Sequence, residues 1–281
     1  MEYFNLNNGL KMPMDGIGVF LQSPQEAEQS VLDAMNMGMR LIDTANAYMN
    51  EKAVGRAIKR SGVERKDIFL VTKLWPTVYE DENAVEETLK RLDTDYIDLL
   101  FLHQPAGNWQ KGYQLMEKAY KQGKVKALGL SNFPEELLKE IIEKAEIKPQ
   151  MVQVEAHPYY PQSELKKLLA QSGMGLMAWY PLGHGDKSLL NEPVFASLAE
   201  KYGKSAAQII LRWHTQMGNV VIPGSRNVNH IRDNYEIFDF RLSDEEMSMI
   251  AQINKNKRYY EATLQAAQRF ATMYMDFDAQ K

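Results

Sequence analysis

Cysteine is absent from the 281 residues. That removes disulfides, thiolate nucleophiles, zinc–thiolate clusters and iron–sulfur centres from the available chemistry. No stretch approaches the ~20 apolar residues of a membrane helix. The opening MEYFNLNNGLKMPMDG has neither the basic n-region nor the apolar h-region of a signal peptide. The expectation is a cytoplasmic protein with no membrane partner. Charge of one sign is not in excess either. The net charge is -4, from interspersed acidic and basic residues, so there is no basic footprint for a nucleic acid.

Several site motifs are also missing. No GxGxxG dinucleotide fingerprint occurs, and Gly16 and Gly18 lack the third glycine. GHGDKS, from Gly183 to Ser188, lacks the Walker A spacing. GLSNF, from Gly129 to Phe133, lacks the second glycine of the hydrolase elbow. Glu155 and His157 are too close to form an HExxH zinc site, and no metal is expected.

What is present is a rhythm. Short apolar runs predict strands from Ile17 to Phe20, Arg40 to Asp43, Ile68 to Lys73, Ile97 to His103, Val125 to Leu130, Val152 to Glu155, Gly175 to Tyr180 and Val220 to Pro223. Helical segments follow them, from Pro24 to Met37, Glu51 to Arg60, Asn83 to Leu92, Trp109 to Gln122, Glu135 to Ala145 and Ser163 to Gln171. Helices from Pro193 to Tyr202, Ala206 to Met217, Val228 to Tyr235 and Asp244 to Ile253 complete the series. Ser23 is placed to cap the first, with Pro24 in its first turn. The strands are continuously apolar, which marks a parallel sheet covered on both faces. Eight strand–helix repeats predict an α/β fold, a (β/α)8 TIM barrel, in preference to an open doubly wound sheet. One domain spanning 1–281 is expected. A small cap or hairpin precedes Gly16. A tail from about Asn256, with Tyr259 and Tyr260, either packs on the outer wall or folds over a barrel mouth.

Reactive groups in such a barrel sit at the C-terminal strand ends. There the chain places Asp43, Lys73 and His103, at intervals of 30 residues, with Tyr48 in the loop after Asp43. A charged residue ending an apolar strand is costly if buried alone, so a mutual network is expected. Asp43 can pair with Lys73, and the ammonium would lower the pKa of Tyr48. Tyr48 then acts as a general acid on a nascent alkoxide, and His103 donates to and orients a carbonyl oxygen. A hydride source is still needed, which calls for a cofactor. The competing reading is a structural rim ion pair, a packed tyrosine and a satisfied histidine.

These residues lie in motifs that resemble the aldo-keto reductase superfamily. The motifs are GMRLIDTANAY (Gly38 to Tyr48), LVTKLW (Leu70 to Trp75), DLLFLH (Asp98 to His103), GLSNF, QVEAHP (Gln153 to Pro158) and WYPL (Trp179 to Leu182). The likeness runs from about Asn5 to Ile253 and is to microbial diketogluconate-reductase-like and glyoxal/aldehyde-reductase-like members. It implies NADPH-dependent reduction of aldehydes or ketones, a tetrad of Asp43, Tyr48, Lys73 and His103, and cofactor binding first and leaving last.

The resemblance also implies a cofactor site. Ser131, Asn132 and Gln153 would hold the nicotinamide carboxamide, in keeping with amide and hydroxyl side chains that both donate and accept. Tyr180 would stack on the nicotinamide, leaving Trp179 as a core residue because neighbours in a strand face opposite ways. Pro181, Leu182 and Gly183 would run along the pyrophosphate. Ser225, Arg226 and Asn234 would meet the adenosine phosphate. Here the chain departs from the family: the usual lysine is Gly224, and a later arginine is matched by His230. Arg226 is expected to compensate, keeping NADPH preferred, with NADH possible. Phe20, Trp75 and Trp109, with Tyr48 and His103, are the candidate substrate contacts. The expected partner is a small carbonyl or alcohol, and a monomer is expected. The competing functions are a barrel lyase or isomerase using Lys73 and His103, and a non-catalytic subunit that senses cofactor.

Overall fold

The computed structural model describes residues 1–260 and 263–281; residues 261 and 262 of the expected tail lie outside the described residues. Its frame is a sheet of eight parallel strands in sequence order: β3 (Gly16–Gly18), β4 (Leu41–Asp43), β5 (Phe69–Leu74), β6 (Leu99–Leu102), β7 (Leu128–Ser131), β8 (Met151–Glu155), β9 (Gly175–Trp179) and β10 (Asn219–Val221). The two ends meet where Val221 N–H donates to the Met14 carbonyl and Gly18 N–H to the Pro223 carbonyl. The result is the (β/α)8 barrel that the apolar rhythm predicts. Before it, β1 (Tyr3–Asn5) and β2 (Lys11–Pro13) form an antiparallel hairpin. Leu6 and Met12 of this hairpin pack with the barrel interior, so it plugs the end where the strands begin.

Alternation along each strand explains the continuous apolar runs. Leu41, Phe69, Val71, Leu99, Phe101, Met151 and Met177 fill the barrel, while Ile42, Leu70, Leu100, Val152 and Leu176 pack outward under the helices. Both faces are dry, so both must be apolar. The inward set continues to the strand ends as Asp43, Lys73, His103, Ser131, Gln153 and Trp179, because every second residue faces the axis.

The helices begin as their sequences require. In α1 (Pro24–Met37), Ser23 accepts from Glu26 N–H while Glu26 accepts from Ser23 N–H, a reciprocal cap. The same pairing opens α9 (Ala206–Gln216) and the last helix before the tail, Asp244–Ala251. Several strand boundaries differ from expectation. The first strand ends at Gly18, since Leu21 adopts φ 58° and turns the chain out of the sheet. Ile97 and Val125 pair with each other in an isolated bridge ahead of β6 and β7.

The tail crosses the mouth rather than the outer wall. Phe270 packs on Trp75 with ring centroids 4.9 Å apart, and Trp75 Nε1 donates to the Met273 carbonyl at 3.1 Å. The chain end then docks beside α2 (Glu51–Ser61). Fully buried Glu51 accepts from Arg91 at 2.7 Å, and Arg91 also bonds Asp278 at 3.0 Å. Removing the cation from a buried pair leaves an uncompensated charge, which costs about 3–5 kcal/mol. Arg91→Leu should therefore lower stability by that order in urea denaturation. It should also make the tail more sensitive to limited proteolysis. Unchanged stability would mean that the pair is not structural.

Candidate active site

At the mouth the inward residues converge. Lys73 has no exposed side-chain surface, and Asp43 has 2%. Lys73 Nζ donates to Asp43 Oδ2 at 2.7 Å and to the Thr44 carbonyl at 2.8 Å, while Asp43 Oδ1 accepts from Gln153 Nε2 at 2.9 Å. Burial pushes the Asp43 carboxyl up and the Lys73 ammonium down, each opposed by the charge of the other. The expected ion pair is present, reaching strands β4, β5 and β8.

Tyr48 stands over this pair in the short turn Asn46–Tyr48, with Lys73 Nζ 4.8 Å from its ring centroid. Its hydroxyl is not lowered as expected. Burial comes first and the Asp43 carboxylate second, and together they hold its pKa well above the ordinary value. His103 lies 5.5 Å from Tyr48 and 5.1 Å from Trp75, ring to ring. Burial, then the Lys73 charge, depress its pKa well below the usual histidine range. The imidazole is neutral.

One cavity of about 700 Å³ joins Tyr48, His103, Ser131, Asn132 and Gln153 to Pro181, Leu182, Ser225 and Arg226. Phe20 and Trp75 form two of its walls. Trp109 does not line it; this residue starts α4 (Trp109–Lys121) and packs on Phe133 in the layer between barrel and helices. Gly183 lies just off the lining, against Leu189 and Tyr259. His230 and Asn234 sit on α10 (Val228–Tyr235), His230 exposed and Asn234 buried, and neither lines the cavity.

Trp179 departs from expectation. It is half-buried and lines the cavity, and its Nε1 donates to Asn132 Oδ1 at 3.0 Å. The alternation rule that assigned it to the core holds, but its phase is reversed: Met177 faces inward, so Trp179 does too. Tyr180 reaches the same cavity because its φ of 51° breaks the strand there. It lies against His184, with centroids 4.4 Å apart. Asn50, missing from the sequence reading, accepts from Thr44 and donates to the Val19 and Gln22 carbonyls while fully buried. It ties the Tyr48 turn to the loop after β3. An asparagine just before a helix reads as a cap, which hides this role.

Gly224 has a packing reason. A Cβ there would lie 2.9 Å from the Gly18 carbonyl oxygen, because the barrel closes at this point. Among the described residues no group of three His, Cys, Asp or Glu is placed to hold a metal, and no helix is long and apolar enough to cross a membrane.

A paired lysine, a phenol and a neutral imidazole thus meet at the C-terminal mouth of a closed parallel barrel. The aldo/keto reductase family model matches residues 18–255. The glyoxal reductase of Bacillus subtilis is 44% identical over 261 residues, covering 90% of this chain and 93% of that protein. The morphine 6-dehydrogenase of Pseudomonas putida is 41% identical over 271 residues, covering 90% and 92%. Among solved structures, the aldo-keto reductase MGS-M4 from a Medee basin deep-sea metagenome library has a TM-score of 0.89 at 38% identity, covering 92% and 97%. The chain belongs to the aldo/keto reductase family of oxidoreductases.

Because each partner is buried only with the other, Asp43→Asn and Lys73→Met should each cost about 3–5 kcal/mol. The double variant should cost clearly less than their sum. Full additivity in denaturant melts would show that the two do not act as a pair.

Proposed function

We propose that the chain reduces small aldehydes or ketones to alcohols with a nicotinamide dinucleotide, Tyr48 giving the proton. The observation that carries this reading is the single cavity in which Tyr48 and His103 share a wall with an amide-binding set. The cavity supplies what a nicotinamide needs. Ser131, Asn132 and Gln153 present hydroxyl and amide groups for a carboxamide. Trp179, held edge-on by Asn132, offers a ring face, with Tyr180 beside it. Pro181 and Leu182, with the neighbouring Gly183, suit the pyrophosphate, and Ser225 and Arg226 stand at the adenosine end. When bound, the cofactor supplies the hydride.

The protein's own groups do the rest. A carbonyl oxygen entering past Phe20 and Trp75 meets Tyr48 and His103. The neutral imidazole carries one N–H, which orients the oxygen and stabilises charge as it develops. Tyr48 stays protonated up to high pH and passes its proton to the nascent alkoxide, a much stronger base. The phenolate left behind faces Lys73, whose ammonium stabilises it against the cost of burial. Asp43 keeps Lys73 in place. One domain spanning 1–281 is proposed to carry both subsites and to work as a monomer.

A Schiff-base lyase would need a lysine amine in the cavity. Lys73 has no surface there and is committed to Asp43 and the Thr44 carbonyl, which argues against that alternative. A cofactor-sensing subunit predicts binding without turnover. Adding NADPH or NADH and a reactive aldehyde, and following the loss of reduced nicotinamide, separates it from the reductase.

Tyr48→Phe should keep dinucleotide binding and lose turnover by about 10²–10⁴-fold. Near-wild-type kcat would remove Tyr48 from proton transfer. The pH profile makes a second prediction. The pKa of His103 is depressed, so the ring gains a proton only well on the acid side of an ordinary histidine. The pKa of Tyr48 is raised, so it loses its proton only well on the alkaline side. kcat/KM should therefore be flat between about pH 6 and 8. An inflection near 6.5 that disappears in His103→Gln would contradict the neutral imidazole.

A further inference from the structure

The adenosine end of the cavity carries little charge. Asp43 and Arg226 are the only Asp, Glu, Lys or Arg among the described residues that line the cavity, and Asp43 is spent on Lys73. Arg226 is also engaged. Its Nε pairs with Glu26 Oε1 at 3.0 Å, and its Nη2 donates to the Leu21 carbonyl at 2.6 Å. Gln22 Nε2 donates to the Ser225 carbonyl at 3.2 Å in the same seam. The loop after β3 and the loop after β10 are thus clasped across the cavity rim, with Glu26 and Arg226 as the charged part of the clasp.

Glu26 is held in place by the other half of its carboxylate. Oε2 accepts from Ser23 N–H at 2.8 Å as part of the α1 cap, so the residue cannot swing away without uncapping the helix. Hydrogen bonds from the Ser23 backbone and hydroxyl hold its pKa below the ordinary value, and it is anionic at any working pH. Among the described residues no second lysine or arginine lines the cavity. Gly224 cannot take a side chain without meeting the Gly18 carbonyl, and His230 points to solvent outside the lining.

We propose that Glu26 is the residue that sets this chain's choice between phosphorylated and unphosphorylated dinucleotide. The inference rests on the nicotinamide reading above and names the selectivity of that site. A phosphate on the adenosine 2′-oxygen must either take the guanidinium from Glu26 or lie beside an anchored carboxylate. A free 2′-hydroxyl meets neither obstacle, since a carboxylate accepts a ribose hydroxyl readily. Arg226 therefore does not simply replace the missing lysine. Its charge is shared, and the advantage of NADPH over NADH is small.

The test is Glu26→Gln, which removes the charge and keeps a glutamine in the reciprocal cap; circular dichroism checks that the fold is intact. Binding is measured calorimetrically for adenosine 2′,5′-bisphosphate and adenosine 5′-monophosphate, and by tryptophan fluorescence for NADPH and NADH. In Glu26→Gln the 2′-phosphorylated member of each pair should bind roughly fivefold more tightly than before, the scale of one exposed ion pair. The unphosphorylated member should change by less than about twofold, within that scale's lower end. The gain should shrink as ionic strength rises. Equal changes for both members, or no change, would overturn the inference while leaving the cofactor reading intact. A wild type that binds neither dinucleotide would overturn both.

Discussion

A lysine without exposed surface sets the terms of this barrel. Desolvating an ammonium costs several kcal/mol unless an anion and further acceptors replace water. Lys73 finds them in Asp43 and the Thr44 carbonyl, and the second oxygen of Asp43 is closed by Gln153 from across the barrel. These partners lie on strands β4, β5 and β8, so the network exists only when the sheet has curled shut in register. A slip of one residue in β5 would send Thr72 or Leu74 inward and Lys73 into the layer under the helices. The interaction the site requires is thus one that only the closed fold satisfies. Tyr48 inherits a fixed environment, buried and beside the Asp43 carboxylate.

The residue before Lys73 repeats the arrangement outward. Thr72 donates to Glu51 at 2.7 Å, Glu51 holds Arg91, and Arg91 reaches Asp278 near the chain end. Gln280 adds a bond to the backbone of Lys52. One strand therefore carries an ion-pair network on each face, the site on one side and the anchor of the tail on the other. At its other end the tail is held where Glu155 accepts from Tyr259 and Tyr260 N–H. Phe270 and Tyr260 contribute to the cavity wall from a segment tied at both ends.

The barrel and the Asp43–Lys73 pair were legible in the sequence because both follow from one-dimensional patterns: apolar runs at even spacing, and a charged residue ending two neighbouring runs, at Asp43 and Lys73. Four other features were not. Trp179 needed the phase of β9, which an apolar run with both faces dry does not reveal; the register Gln153 to Met177 does. Trp109 follows His103 closely in sequence, but the intervening loop carries it to the outer layer. The rise in the pKa of Tyr48 comes first from its burial and then from the Asp43 carboxylate, and neither can be read from a tyrosine and a lysine in the sequence. The tail has no repeat to belong to, and its path depends on side chains more than 180 residues away, as when Arg91 meets Asp278.

Buried and exposed charges divide the work of this molecule. Inside, Asp43 and Lys73 are buried against each other, so neither can change alone. At the rim, Glu26 and Arg226 are exposed and screened by solvent, and changing them leaves the core untouched. The walls nearest the carbonyl site are aromatic: Phe20, Trp75 and Phe270. Such walls discriminate by volume, at about 1–3 kcal/mol for a misfit methylene. Strong rejection of an analogue requires a buried polar group left unpaired, and in the proposed reading Tyr48 and His103 address only the oxygen that every carbonyl substrate shares. The chemistry is therefore held by the interior, while selectivity depends on a rim that can vary by small steps.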